Sequence, residues 1–252
     1  MSLLSLVDDF KNIGINKGDD ILIHMSYKSM GYIEGGIDTF IDALKLSVGD
    51  SGTILFPTLS YRFVTKDNPV FDIKNTHSNV GAVSDYFRTL SGVKRSLNPT
   101  HSVSAFGARC EEYTKNHYLD NEPVGANSPF SLLPEFGGKV LMIGCGIKCN
   151  TSMHGVEEFV RVPYILSKDK REYTLIDYDD KITRKGYYYH DMVLGHNLSQ
   201  RYDRLYDLME FKKGNILKAE SYLIDAETMW KVGSEKMKSE PYYFTEKIEG
   251  EK

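Results

Sequence analysis

The sequence predicts an α/β fold with a mixed central sheet. Three observations predict it. A short apolar segment, a glycine-bearing turn and a stretch of helical apolar spacing follow one another at residues 20–44 and again at 139–160. Repetition of that unit argues for partly parallel strands with helices packed on them. The 252 residues, 41% of them hydrophobic, suffice to bury a sizeable core and lie near the length at which one core stops growing. The last third then changes to alternating, tyrosine-rich segments. One domain over 1–252 is expected, with 165–225 as a small β-rich subdomain inside it, since no linker-like run separates the two.

The elements follow in order. Asp20 to His24 reads as a short buried strand after the turn at Lys17-Gly18-Asp19. A loop with Ser26, Ser29, Gly31 and Gly35-Gly36 leads to helical spacing at Ile37, Phe40, Ile41 and Leu44. Residues 49–57 give a turn and a second strand, ended by Pro57. Residues 58–80 are polar and aperiodic, which predicts a long loop near a site. Val80, Val83, Phe87 and Leu90 space a helix. A turn at Asn98-Pro99-Thr100, a strand over 102–106 and a short helix over 109–117 come next. Ser128 caps a helix that opens on Pro129 and stops at Gly137-Gly138. Lys139 to Ile143 is a buried strand, and Thr151 or Ser152 starts a helix through Val160. Residues 170–177 and 181–190 alternate around Asp179-Asp180, a hairpin signal. A helix over 202–211, one or two strands over 214–224 and a final helix capped by Asp225 complete the fold, with a frayed tail from Glu246 to Lys252.

Charge excludes some classes of function. The formal net charge of −4 offers no basic footprint for nucleic acid. No stretch approaches the roughly 18–20 apolar residues that span a bilayer. The first residues lack a basic leader, and Asp8 and Asp9 interrupt their apolar run, so no signal peptide is expected. Three cysteines without dense spacing fit a reducing, cytoplasmic location.

The chemistry concentrates after the strand at 139–143. His154 lies near the start of the following helix, where ligands bind beyond the carboxyl ends of strands. Glu157 and Glu158 stand three and four residues on, so either can share a helical face with it. A carboxylate on one ring nitrogen fixes the tautomer and makes the other a better base. Cys145, Cys149 and His154 do not have zinc-ligand spacing, and no metal is expected. His101 sits in a turn rich in hydroxyls, with Thr100 and Ser102 on either side. Ser26 and Ser29 could meet phosphate with backbone amides, with Lys28 as a counter-charge, but there is no GxxxxGK[ST] or GxGxxG pattern. The 17 tyrosines suit either an aromatic sheet face or the lining of a sugar site.

Several motifs occur together in one order: residues 24–31 with Gly35-Gly36, then 52–58, Gly81-Ala82, 95–102, 125–129, 137–141 and 150–157. In that order they resemble the aminoglycoside 3-N-acetyltransferase family of the antibiotic N-acetyltransferase superfamily. The resemblance covers residues 17–165 best. It implies an α/β sandwich distinct from the common N-acetyltransferase fold, forming a single acyltransferase domain. It also implies transfer of an acetyl or other short acyl group from coenzyme A to an amine on a sugar ring. The position matching His154 is the family's general base, and the one matching Glu157 orients or supports it. Ser26, Tyr27, Lys28, Ser29, Thr100, His101 and Ser102 match the region that receives the coenzyme. Family members often carry histidine where this chain has Asn98. The co-substrate is then acetyl-coenzyme A or another acyl-coenzyme A. The acceptor is an aminoglycoside or a nucleotide-linked amino sugar, with no nucleic-acid or membrane partner. The oligomeric state stays open, a homodimer included. The alternatives are a thioesterase using the same histidine on water, and a non-catalytic coenzyme- or sugar-binding module.

Overall fold

Strands and helices form where the apolar runs dictate, and the computed structural model describes residues 2–193 and 195–248. The first half of the chain contains α1 (Leu3–Ile13), β1 (Asp20–Met25), α2 (Gly36–Val48), β2 (Thr53–Pro57) and β3 (Val70–Asp72). It continues with α3 (Ala82–Phe87), β4 (Lys94–Arg95), β5 (Val103–Gly107), α4 (Cys110–Thr114) and α5 (Pro129–Glu135). The second half contains β6 (Lys139–Ile143), α6 (Met153–Val160), β7 (Arg171–Ile176), β8 (Ile182–Tyr187) and β9 (Leu198–Gln200). The last elements are β10 (Lys212–Ile216), β11 (Ala219–Asp225), α7 (Ala226–Ser239) and β12 (Thr245–Lys247).

The central sheet has seven strands in the order β10-β11-β6-β1-β2-β5-β4. Its middle three, β6, β1 and β2, are parallel, and the flanking strands pair antiparallel. The mixed α/β sheet expected from the repeated strand-turn-helix unit is therefore present. Period-2 alternation sends residues to opposite faces. Ile21, Ile23, Ile54, Phe56, Leu141 and Ile143 pack with α1, α2 and α3. Leu22, Leu55, Val140 and Met142 pack with α4 to α7. The result is a three-layer sandwich with one core on each face.

Four local outcomes differ from the sequence reading. Helix α1 is absent from that reading, although Ser2 caps it, Leu6, Phe10 and Ile13 form its buried stripe and Gly14 ends it in the left-handed region. The polar stretch 58–80 holds β3, which pairs in parallel with β7 beside β8 over a small core of Phe71, Ile73, Tyr173 and Leu175. A three-residue strand is too short to show a period. Strands within residues 165–225 enter three sheets: β7 and β8 join β3, β9 pairs with β12, and β10 and β11 complete an edge of the central sheet. Between them, 202–211 forms only a 3-10 segment at Tyr202–Asp207 in place of a helix. Finally, Glu246 and Lys247 are held in β12 against β9, and residues 249–252 of the expected frayed tail lie outside the described residues. Among the described residues no helix is long and apolar enough to cross a membrane.

Phe10 is fully buried and meets Phe40 edge-on at 5.9 Å, which couples α1 to α2. Phe10→Ala should lower the unfolding free energy by about 3–5 kcal/mol. The denaturant midpoint measures it, and a loss under about 1 kcal/mol would mean that α1 lies outside the cooperative core.

Candidate active site

Parallel pairing places the carboxyl ends of β1, β2 and β6 at one edge of the sheet. The antiparallel β5 starts at that same edge, because Val103 pairs with Pro57. Hence the loops after residues 25, 57 and 143 and the turn before Val103 all meet there. Gly144 permits their closeness: its φ is 62°, and a Cβ on it would lie 1.8 Å from Ser29 Oγ.

Helix α6 opens from the loop after β6 and presents His154 one turn before Glu157. His154 Nδ1 lies 2.9 Å from Glu157 Oε2. Glu157 is fully buried, and each of its oxygens is taken: Tyr164 donates to Oε1 at 2.9 Å and Tyr202 donates to Oε2 at 2.7 Å. The Tyr202 hydroxyl also lies 2.8 Å from His154 Nδ1. Burial, then the Glu157 charge, pushes both phenols above their usual range, so they remain donors at neutral pH. With Nδ1 held as N–H by these acceptors, the His154 lone pair is left on Nε2. The ring is only 12% exposed.

The 95–102 segment holds a second histidine against the first. Asn98 Oδ1 accepts from the backbone N–H groups of Thr100 and His101, and Asn98 Nδ2 donates to Glu122 O at 3.0 Å. This folds the turn that points His101 inward. Arg95 fixes the base of the turn. Its guanidinium donates to Ser102 Oγ and to the carbonyls of Thr58, Ile73 and Thr76, and it stacks on Phe71. Burial lowers this guanidinium to about 9. His117 sits beneath, with Nδ1 2.8 Å from Ser96 Oγ and Nε2 donating to Pro123 O. Ser96 Oγ in turn accepts from Val103 N–H, tying the turn to β5.

His190 completes the cluster, and the sequence reading misses it. That reading runs it into a strand, but β8 ends at Tyr187 and the chain bends back to the site. Its ring lies 4.6 Å from that of His154 and 4.4 Å from that of His101. His190 Nε2 is 2.6 Å from Glu158 Oε1. Burial pushes the Glu158 carboxyl up and His190 down, and both shifts favour a neutral pair. Burial, then His154, likewise holds His101 well below the usual range and His24 near about 3. The one sequence signal for His190 is its place in a Tyr-Tyr-Tyr-His run; its distance from His154 along the chain hides it.

The remaining expected residues divide. Ser26 takes its place at the sheet edge, where its N–H donates to Ile143 O at 2.8 Å. Ser29 donates its hydroxyl to Ser26 O, Tyr27 packs against Phe40, and Lys28 is exposed. Ser102 is fully buried, and its hydroxyl accepts from Arg95 and donates to Thr58 O, which ties it to the turn. Thr100 uses its hydroxyl on His101 Nδ1 at 2.9 Å. Glu158 serves His190, not His154. Beside His24 a cleft of about 270 Å³ opens, lined by Ile23, Met25, Pro57, Thr151 and the pair Cys145 and Cys149. Two buried polar atoms on this cleft, His24 Nε2 and Thr151 Oγ1, have no protein partner among the described residues. A larger cleft of about 850 Å³ runs between α5, α6 and α7. His154 lines neither cleft. The smaller one lies at the carboxyl ends of β1, β2 and β6 and is lined by His24, whose imidazole feels the charge of His154, whereas the larger one is lined by Glu158 and Arg161 on the far end of α6.

Three comparisons bear on this arrangement. The family model described as aminoglycoside 3-N-acetyltransferase matches residues 22–238. Aminoglycoside N(3)-acetyltransferase IV of Salmonella sp is 31% identical over 188 residues, which is 74% of this chain and 68% of that protein. Aminoglycoside N(3)-acetyltransferase VII of Streptomyces paromomycinus is 27% identical over 204 residues, 74% of this chain and 69% of that protein. The solved structure of AAC-IIIb in binary complex with CoASH superposes with a TM-score of 0.82 at 26% identity, over 95% of this chain and 97% of that one. A His-to-Ala mutant of AAC(3)-IVa in complex with a gentamicin gives 0.80 at 28% identity, over 96% and 90%.

Burial lowers His117 to about 3. The unfolded chain therefore takes up a proton near pH 6.5, long before the folded one does, and stability falls as pH drops through that window. The slope is about 1.4 kcal/mol per pH unit for this residue. His117→Gln should remove that share of the slope in denaturant titrations between about pH 6 and pH 4. An unchanged slope would mean that His117 is not excluded from protonation in the fold.

Proposed function

The chain belongs to the aminoglycoside 3-N-acetyltransferase family, and from that premise we propose that it transfers an acetyl group from acetyl-coenzyme A to an amine of an amino sugar. His154 is the base and Glu157 positions it. The observation that carries the reading is the His154–Glu157 pair, closed by Tyr202, which commits Nδ1 and leaves Nε2 as the imidazole nitrogen available to a substrate. Relatives solved with CoASH, with a gentamicin and with apramycin support a coenzyme-A thioester as donor and an aminoglycoside as acceptor.

The acceptor attacks as the free amine. As its nitrogen bonds to the thioester carbonyl carbon, His154 Nε2 takes the N–H proton, which allows the tetrahedral adduct to collapse toward amide. The C–S bond breaks, and the imidazolium returns the proton to the departing thiolate. While charged, the ring is stabilised by the Glu157 carboxylate, whose desolvation makes the attraction stronger than in water. Tyr202 holds both partners and sets the ring angle. The cleft suits the thioester arm: Ile23, Met25 and Pro57 offer apolar contact, while His24 Nε2 and Thr151 Oγ1 have polar valences to satisfy. The loop from Ser26 to Ser29 lies at the same sheet edge, and exposed Lys28 offers charge for the phosphates. Thr100 and Ser102 act through His101 and its turn. The free Cys110, Cys145 and Cys149 fit a reducing, cytoplasmic setting.

His154→Ala should reduce kcat by about 10²–10⁴-fold, with an unchanged circular dichroism spectrum; near-normal turnover would remove His154 from the base role. Tyr202→Phe keeps the ring and deletes the hydroxyl, so kcat should fall about 10-fold, the effect of one transition-state interaction of about 1.4 kcal/mol, with KM little changed. The acceptor class is read from coenzyme release with acetyl-coenzyme A and gentamicin, apramycin or nucleotide-linked amino sugars. Release that ignores the amine would identify a thioesterase instead.

A further inference from the structure

Three histidine rings from three distant segments converge. His101, His154 and His190 each bring a ring nitrogen within 4.8 Å of the other two. Each ring also has one nitrogen held by a different partner: Thr100 Oγ1 at His101 Nδ1, Glu157 at His154 Nδ1 and Glu158 at His190 Nε2. Among the described residues His101 Nε2, His154 Nε2 and His190 Nδ1 have no hydrogen-bond partner. Acyl transfer uses only one of these nitrogens. Packing alone does not account for glutamate side chains placed behind two of the rings, and a metal cation on His190 would displace the proton that keeps the Glu158–His190 pair neutral.

A histidine that gives one nitrogen to a carboxylate and keeps the other as a lone pair is the usual form of a metal-ligating imidazole, because the outer partner fixes the tautomer and raises ligand basicity. His154 and His190 have a glutamate as that outer partner and His101 has the Thr100 hydroxyl, and three imidazole nitrogens with a fourth position open form a zinc-type donor set. With Zn–N bonds of about 2.0–2.1 Å, tetrahedral ligands stand roughly 3.3 Å apart, so nitrogens within 4.8 Å of one another need to draw in by at most about 1.5 Å. Imidazole sets of this kind favour zinc, copper and nickel over magnesium and calcium.

We propose that His101, His154 and His190 form a binding site for a divalent transition-metal ion, zinc first, and that the bound ion inhibits the enzyme by occupying the His154 lone pair. Binding stands on the donor geometry alone, whereas the inhibition rests on His154 being the base. Chelation restores activity, since no covalent change is involved.

Co²⁺ replaces Zn²⁺ as the visible probe. Titration of the metal-free protein should give one equivalent of tetrahedral d–d absorption, displaced by Zn²⁺. His190→Gln should abolish that spectrum, and Glu158→Gln should weaken binding about 10–100-fold as an outer partner of a ligand. Zn²⁺ should also raise the Tm of the wild type but not that of His190→Gln, a comparison that detects a misfolded variant by its own melting curve. The site is overturned if no such spectrum appears, if His190→Gln binds equally well, or if a thiolate charge-transfer band places the ion on Cys145 and Cys149. In the presence of acetyl-coenzyme A and an active acceptor, Zn²⁺ should suppress turnover, and a chelator should restore it. Tight binding with undiminished turnover overturns the inhibition. Binding by a chain that acylates no amine leaves the site standing and removes the acyltransferase reading.

Discussion

A carboxylate taken wholly out of water sets the terms for the site. Glu157 has no solvent contact, and an unpaired buried charge costs several kcal/mol even after relaxation. Its two oxygens are therefore met by three groups: His154 from the same helix, Tyr164 from just beyond it and Tyr202 from the turn before β10. Losing one partner leaves the charge undercompensated, at a typical cost of about 3–5 kcal/mol. The C-terminal third, whose sequence pattern is unlike the rest, is bound to helix α6 through this contact. The requirement that stabilises the carboxylate also aims the imidazole, so folding and the geometry of the site share one network.

Arg95 plays the matching part on the other side. Its buried guanidinium spends its donors on Ser102 and on carbonyls of the 58–80 segment. A polar segment with little regular structure is thereby pinned to the turn that carries His101. Asn98 then shapes the turn through its own side chain, as a short polar residue does when it bonds backbone two and three residues on. The 95–102 motif is thus chiefly a scaffold, with His101 as the one residue of it that faces the other imidazoles.

Much of this is legible locally. The strands over 20–25, 53–57 and 139–143 and the hairpin around Asp179-Asp180 are each written in short-range apolar spacing and turn residues, and each is present. His154 with Glu157 is legible because both sit on one helical turn. Helix α1 is equally legible from Leu6, Phe10 and Ile13, once those residues are weighed as a buried stripe and not only as a leader. Strand β3 is not, because its partner β7 lies far along the chain and its three residues carry no pattern. Nor is the bonding of Ser102 to Arg95 and Thr58, the second of which lies 44 residues away.

What the sequence alone determined is the alternation of strand and helix, the ordered motifs and the His154–Glu157 pair, since these depend on residues within a turn or two of one another. Only the tertiary structure decided that Tyr164 and Tyr202 close around Glu157, that Arg95 and Asn98 build the turn, and that His190 joins His101 and His154. Those contacts mostly span dozens of residues. They exist because parallel pairing of β1, β2 and β6 sends several loops to one edge, and because buried charge must find whichever donors arrive there.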